Sequence, residues 1–192
     1  MAGQPTRPGP GSTALAGLCA AALAAPVLAA AAPAAAAADT ETRQCVSGDF
    51  KIIENDRGAA AGTTYIEFAM IRIGGSGGSD DPAEEPCSLY RDLGVSWVDH
   101  YQGSTVGAFA TYDGEQGEPF VVEPGGTATL TLAQPNPGNY DPEVCDPTDV
   151  AGIRVQWDMA DEGAYASTGA RDTMCANPDV AVPRYTVEPA QS

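Results

Sequence analysis

The chain has 192 residues and a formal net charge of −17, because 26 acidic residues stand against nine Lys and Arg. Such a charge repels phosphate groups, so binding of nucleic acid or anionic lipid through a basic patch is excluded. The length suits one ordinary domain once an export signal is removed.

Residues 1–38 have the composition of a secretion signal. Arg7 and the amino terminus make the start weakly positive, an Ala- and Leu-rich segment follows, and Ala36 to Ala38 suit signal peptidase. We therefore expect cleavage after Ala38, which leaves eight bases and 26 acids, or a charge of −18. The apolar segment is too short and too weakly apolar for a stable membrane span, and no later segment is long enough.

Cys19 offers an alternative to soluble secretion, because a cysteine after a short apolar run can be the lipidated first residue of a lipoprotein. The residue before such a cysteine should be small, and here it is Leu18. We therefore favour an extracellular, soluble product over a lipid anchor at Cys19.

Four cysteines follow the signal, and an even number in an exported chain indicates two disulfides. Of the three possible pairings we favour Cys45 with Cys87 and Cys145 with Cys175, since each pair then encloses a neighbouring group of strands. A zinc site is the alternative, but the chain has one histidine and no Cys-x-x-Cys motif.

The clearest strand pattern lies at 120–132, where an apolar segment, a Pro-Gly-Gly turn and a strictly alternating segment follow one another. Ala128, Leu130 and Leu132 alternate with threonines, which is typical of a half-buried strand. The other predicted strands are 50–54, 63–73, 95–99, 105–112, 153–157, 164–169 and 180–187.

Local signals refine these strands. A turn is expected at 55–58, and a bulge or a doubly buried edge near Ile71 and Ile73, which are out of phase with the rest of their strand. Pro183 makes 180–187 an expected edge strand, and a short helical turn is possible at 146–150.

No segment after the signal has apolar residues at helical spacing over three turns. We therefore predict an all-β antiparallel sandwich of about seven to nine short strands with two disulfides. The expected divisions are a signal at 1–38, a polar lead-in at 39–44, one sandwich domain at 45–188 and a tail at 189–192.

A family resemblance is carried by five segments in a fixed order. They are Cys45, the Gly62 to Met70 strand, Cys87 with the Leu93 to Trp97 segment, the Val122 to Ala128 turn, and a third cysteine before Ile153. In this order they resemble the secreted four-cysteine domain common in actinobacteria, domain-of-unknown-function family 4232. The resemblance implies an immunoglobulin-like sandwich, export and, in some members, a lipid anchor, but no activity and no catalytic residues. The chain departs from the family at Arg72, where an asparagine is frequent.

A serine hydrolase is one alternative function. Residues 74–78 match Gly-x-Ser-x-Gly around Ser76, and Asp99 and His100 follow in the order serine, acid, histidine. A nucleophile elbow needs a helix directly after the serine, whereas here the acidic segment from Ser79 follows, so a flexible loop is favoured.

A calcium-stabilised module is the second alternative. Asp141, Glu143, Asp146 and Asp149 flank Cys145, and calcium prefers several oxygen ligands. The spacing is not that of an EF-hand, so we favour solvated loop acids over a specific site, with weak divalent cation binding as the alternative.

The aromatic residues are expected to serve mainly in the core. Trp97 and Trp157 lie in phase with their strands' apolar faces and are predicted to pack on facing sheets. A sugar-stacking platform would instead need both rings outside. A further candidate for an exposed recognition patch is the set Tyr65, Tyr90, Tyr101, Tyr112 and Tyr140.

Taken together, these patterns favour an exported, non-enzymatic domain without a cofactor that binds an unknown protein or cell-wall component through loops at one end of a rigid sandwich. No catalytic, cofactor-binding or metal-binding residues are assigned.

Overall fold

The computed structural model describes residues 42–73, 85–115, 117–158 and 160–190. Eleven strands lie in these ranges: β1 (Phe50–Ala60), β2 (Thr63–Arg72), β3 (Cys87–Leu89), β4 (Gly94–Val98), β5 (Thr105–Val106), β6 (Thr111–Tyr112), β7 (Phe120–Val122), β8 (Thr127–Pro135), β9 (Pro147–Gln156), β10 (Ala164–Cys175) and β11 (Arg184–Pro189). A short helix, α1 (Pro142–Cys145), and 3-10 turns at Ser47–Asp49 and Pro137–Asn139 complete the described elements.

The strands form three sheets. Their orders are β1-β2-β8-β11-β6, β10-β9-β4-β5 and β3-β7. Every pairing of neighbours is antiparallel except β11 with β6, which is parallel. The predicted all-β antiparallel sandwich is therefore confirmed. The strand count exceeds the prediction because β3 was not expected and because 105–112 forms two strands, β5 and β6, in different sheets.

The core lies between the inner faces of the two larger sheets. Ala128, Leu130 and Leu132 of β8 are buried in strict alternation with half-buried threonines, as predicted. Other buried members are Ile66, Phe68 and Met70 of β2, Val95 and Trp97 of β4, Ile153 and Val155 of β9, and Tyr185 and Val187 of β11. Burial of such side chains stabilises the fold by about 1.5–3 kcal/mol each.

The β1–β2 hairpin corrects two predictions. The turn expected at 55–58 is wrong, because β1 continues to Ala60 and the chain reverses at Ala61 and Gly62, with φ of 48° and 77°. Two consecutive positive φ values are typical of a two-residue hairpin turn. The pairing shifts register between Glu54 and Asp56, so the bulge is in β1.

The expected irregularity at the end of β2 is also wrong. The register of β2 is continuous there, and the inward position after Met70 is filled by Arg72, which is 1% exposed. Ile73 is exposed and Ile71 half-buried, because both point away from the core.

Three further details differ from the sequence predictions. The turn at Pro124–Gly126 joins strands of different sheets, since β7 pairs with β3 and β8 pairs with β2 and β11. β11 is no edge strand, because it begins after Pro183 and lies between β8 and β6. The helical turn is α1, where Asp141 caps the first turn and a proline opens it, and 147–150 belongs to β9.

Both tryptophans are buried, but not on facing sheets. Trp97 lies in β4 and Trp157 directly follows β9, the neighbouring strand of the same sheet. The Trp97 indole N–H donates to Gln134 Oε1 at 2.8 Å, and Trp157 stacks on Phe50 with centroids 5.4 Å apart. Each ring therefore reaches across to the five-stranded sheet.

The disulfides are Cys45–Cys87 and Cys145–Cys175, the pairing that we favoured. The first lies in the main core, and the second forms a small cluster with Ala181. The lead-in is tied down as well, since Ser88 N–H donates to the Arg43 carbonyl at 2.8 Å. Among the described residues there is no helix with the length and hydropathy needed to cross a membrane.

Candidate functional site

A cavity of about 650 Å³ opens where β4 begins and β9 ends. Its lining residues come from 44–46, from the segment that leads into β4, from the segment before β6, and from the end of β9 with the loop that follows it. They are Gln44, Cys45, Val46, Asp92, Leu93, Gly94, Phe109, Ala110, Gln156, Trp157, Asp158 and Asp161. We call this the Trp157 cavity. Its wall is apolar at Leu93, Phe109 and Trp157, and three aspartates supply negative charge.

The acidic side of the Trp157 cavity is held by a hydrogen-bonded loop after β9. Asp161 Oδ1 accepts from Ser47 Oγ at 2.8 Å and from Gly163 N–H at 3.2 Å. The Asp161 carbonyl accepts from Gln156 Nε2 at 2.8 Å. These bonds connect the loop to the 3-10 turn at Ser47–Asp49 and to β9, so the carboxylate is fixed before any ligand arrives.

Two polar atoms of this cavity's residues are buried without a partner. Among the described residues, neither the indole N–H of Trp157 nor Asp161 Oδ2 makes a hydrogen bond. A buried donor or acceptor left unpaired costs about 1–3 kcal/mol. The cavity wall thus contains one donor and one acceptor of this kind.

A buried charge network lies beside the first disulfide. Asp49 accepts two hydrogen bonds from Arg43, at 2.7 and 2.8 Å, and one from Val46 N–H at 2.9 Å. Arg72 Nη1 donates to the Val122 carbonyl at 2.8 Å, and Nη2 lies 3.9 Å from Asp49 Oδ1. Burial alone would raise the pKa of Asp49, but these hydrogen bonds and the two arginine charges outweigh it and hold the pKa below its usual range.

Of the residues proposed for a serine hydrolase, the described part of the chain contains Asp99 and His100. His100 Nδ1 lies 2.9 Å from Asp99 Oδ1, but the His100 side chain is 70% exposed. Ser76 lies outside the described residues. The acid and the histidine form a surface pair, which is not the enclosed arrangement that activates a nucleophile.

The four loop acids considered for calcium remain at the surface. Asp141 Oδ1 caps α1 by accepting from Glu143 N–H at 2.9 Å, Asp146 ends the helix, and Asp149 accepts from Thr173 Oγ1 at 3.3 Å. In the described ranges, the one group of three metal-ligand side chains within 4.8 Å of one another is Cys45, Asp49 and Cys87. The two sulfurs of that group are bonded to each other, so they are not available as zinc ligands.

Sequence reasoning missed the acids of the Trp157 cavity, Asp92, Asp158 and Asp161. A usable signal was present in the sequence. Asp158 directly follows Trp157, the last apolar position of a predicted strand, and Asp161 comes three residues later. The opposite part of the cavity wall consists of Asp92 to Gly94 and Phe109, which are distant from Trp157 in the sequence and contain no recognisable motif. The sugar platform built on the two tryptophans is excluded, since both rings are buried.

A comparison with protein families finds one match. Residues 82–191 match the family described as Domain of unknown function (DUF4232). The match includes Cys87, Cys145 and Cys175 but not Cys45, β1 or β2. No curated protein and no solved structure matches the chain. The matched range covers more than half of the sequence, and the chain belongs to this family of domains of unknown function.

Proposed function

We propose that the chain is an exported, non-enzymatic binding domain that works at or outside the cell envelope and takes an amine-bearing side chain of a protein or wall component into the Trp157 cavity. One observation carries the proposal: an indole and other apolar side chains lie beside three carboxylates in one cavity. A lysine side chain has the matching chemistry, since its stem is apolar and its ammonium group seeks anionic or aromatic partners.

The charge of the whole molecule supports a cationic ligand. Without residues 1–38 the chain has eight bases and 26 acids, so its field attracts cations before contact. Asp92 and Asp158 are exposed at the cavity, whereas Asp161 is half-buried and fixed by its hydrogen bonds. The exposed acids would speed association, and Asp161 would contribute most to affinity.

The non-enzymatic part of the proposal rests on where pKa values are displaced. Among the described residues, the groups with displaced pKa values are Asp49, Glu54, Arg57, Arg72 and Tyr185. These groups have partners that hold strands or loops together, and none of them lines the Trp157 cavity. Catalytic sites normally displace the pKa values of groups inside the cleft.

Export is supported by the composition of residues 1–38 and by two disulfides, which persist in oxidising compartments. Mass spectrometry of the protein from the culture medium of its native cell tests this part. We expect an amino terminus at Asp39. A diacylglycerol-modified Cys19 in the membrane fraction would overturn soluble export and support a lipid anchor.

Calorimetric titration with short peptides tests the ligand class. We expect a lysine-containing peptide to bind the domain from residue 39 onward, and the same peptide with glutamate in place of lysine not to bind. Asp161→Asn should weaken binding about tenfold, as expected for loss of one close charge partner. Asp179→Asn removes the same charge at an exposed site away from the cavity and is the control.

Two outcomes would overturn the ligand assignment. One is equal binding of the lysine and glutamate peptides, and the other is an equal effect of Asp161→Asn and Asp179→Asn. The hydrolase alternative has its own test: labelling of Ser76 by a fluorophosphonate, lost in His100→Ala, would overturn the non-enzymatic reading. We expect no labelling.

A further inference from the structure

A second cavity, of about 320 Å³, lies on the outer face of the four-stranded sheet. We call it the tyrosine cavity. It is lined by Tyr101, Gln102, Arg154, Gln156, Glu162 and Tyr165, with Gly163 at its base. Two aromatic rings, one cation, one carboxylate and two amides therefore surround a space of small-ligand size.

The aromatic part of the tyrosine cavity is built in advance. The rings of Tyr101 and Tyr165 meet edge to face, with centroids 5.3 Å apart and an interplanar angle of 74°. The Tyr165 hydroxyl donates to the Ala151 carbonyl at 3.0 Å, which fixes that ring on the sheet. Tyr101 is 63% exposed, so one face of its ring is available to a ligand.

The turn that presents Tyr101 is tied to the sheet. Gly103 N–H donates to the His100 carbonyl at 2.8 Å, and Arg154 Nη2 donates to the Gly103 carbonyl at 2.7 Å. Gln102 has a φ of 60°, in the left-handed region that non-glycine residues rarely adopt. Such strain persists only where the surroundings enforce it, and it is frequent in ligand-binding loops.

Several polar groups in the cavity have unused hydrogen-bonding capacity. Within the described residues, the Glu162 carboxylate, the Tyr101 hydroxyl and Arg154 Nε and Nη1 make no hydrogen bond, and Gln156 uses only its Nε2. Donors and acceptors thus stand side by side around an exposed ring. Arg154 and Glu162 have opposite charges, so the site has no net preference for a charged ligand.

We propose that the tyrosine cavity binds an uncharged sugar ring of a glycan. The apolar C–H face of a pyranose would lie on Tyr101, and its hydroxyls would donate to Glu162 and Gln156 Oε1 and accept from Arg154. A hydroxyl both donates and accepts, which suits a site where planar donors and acceptors alternate. Because Arg154 and Glu162 have opposite charges, neither a cation nor an anion gains net attraction from this pair.

This inference goes beyond the amine site of the Trp157 cavity. The two cavities lie on either side of Gln156, the one residue that lines both. Each site therefore has residues that the other lacks, and variants of Tyr101 and Asp161 test them separately. Gln156 is left unchanged in both tests.

The probes are uncharged oligosaccharides: tetramers of N-acetylglucosamine, glucose and xylose, titrated by calorimetry and by chemical-shift mapping of the domain. We expect at least one to bind with a dissociation constant below about 10 mM. Tyr101→Ala should weaken that binding about tenfold, which corresponds to about 1.4 kcal/mol and is the size of one stacked aromatic contact. Tyr101→Phe keeps the ring and should bind nearly as well as wild type.

Tyr90→Ala is the matched control, since Tyr90 is also an exposed tyrosine but does not line the cavity. Both alanine variants should keep the wild-type melting temperature. The proposal is overturned if no tetramer binds at about 10 mM, or if Tyr101→Ala and Tyr90→Ala bind alike. Loss of lysine-peptide binding in Asp161→Asn with unchanged sugar binding would confirm two independent sites.

Discussion

The two disulfides close loops of similar length but lie in different surroundings. Their half-cystines are 42 and 30 residues apart, which on the chain-entropy model gives about 4 and about 3.6 kcal/mol of stabilisation. Cys45–Cys87 lies in the main core beside the Asp49 and Arg72 charges, whereas Cys145–Cys175 packs in a satellite cluster with Ala181. Loop entropy predicts nearly equal stabilisation by the two disulfides. A larger measured difference in stabilisation would therefore come from the side chains packed around each disulfide.

The largest expected effect comes from removing each disulfide in turn. Cys45→Ala with Cys87→Ala should lower the free energy of unfolding by 4 kcal/mol or more, about the entropic value plus a loss of packing in the core. Cys145→Ala with Cys175→Ala should cost only about its entropic value of 3.6 kcal/mol, because the satellite cluster has few neighbours to disturb. Urea denaturation of both variants gives the free energies of unfolding. Equal losses would show that the surroundings of the two disulfides do not affect their contributions to stability.

The next effect concerns the buried charge at the first disulfide. Arg72→Met should cost about 3 kcal/mol, because it removes the guanidinium donor of the Val122 and Glu85 carbonyls and one of the two arginine charges beside the buried Asp49. Arg171→Met, near the second disulfide, replaces an exposed arginine and should cost less than about 0.5 kcal/mol. Chemical denaturation distinguishes them, and a neutral Arg72→Met would show that the network contributes no net stability.

A third test compares one tyrosine from each region. Tyr185 belongs to the main core, where its hydroxyl accepts from Leu93 N–H at 2.6 Å and donates to the Leu93 carbonyl at 2.7 Å. Tyr185→Phe should cost about 1–2 kcal/mol through these lost bonds. Tyr140→Phe, in the satellite cluster, removes a hydroxyl without a hydrogen bond among the described residues and should be neutral.

Tyr185 also predicts alkaline unfolding. Burial raises its pKa to about 12 from an ordinary value of 10, even though the hydrogen bond to Leu93 acts in the opposite direction. The resulting stability is complete below pH 10 and is lost as the pH rises towards 12. Tyr185→Phe should flatten this dependence, and Tyr140→Phe should leave it unchanged.

The smallest effect is expected at acid pH. Because the pKa of Asp49 is held below its ordinary value of 3.8, its contribution is present above that pH and is lost as the pH falls below it. Urea midpoints at neutral and acid pH should therefore differ less in Asp49→Asn than in wild type. Asp149→Asn, at the second disulfide, is the control and should keep the wild-type difference.

Much of the fold could be predicted from period-two patterns. Ala128, Leu130 and Leu132 identified the core face of β8, and the even-numbered residues of β2 identified its inner face. The pairing of the cysteines followed from the grouping of the strands. These features are set by local alternation and by short loops, both of which the sequence displays directly.

The errors arose where tertiary contacts override local signals. The turn-forming residues at 55–58 remain in β1 because its partner β2 is long enough to pair past them, with one bulge. Arg72 occupies an inward-facing position of β2, where an apolar side chain is expected. It is accommodated there because its guanidinium contacts buried carbonyls and Asp49. Neither the Trp157 cavity nor the tyrosine cavity could be predicted, since each joins side chains from loops whose approach depends on the completed sheets.

The place of β8 between β2 and β11 bears on which segment of this chain can fold by itself. A chain cut at residue 82 would retain the whole range that matches the family, yet β8 would have an unpaired edge nine residues long on the side that β2 now covers. Cys87 would keep a free thiol, since Cys45 would be gone. Such a fragment would associate edge to edge and form intermolecular disulfides, so the range that matches the family is shorter than the part of this chain that folds as one sandwich.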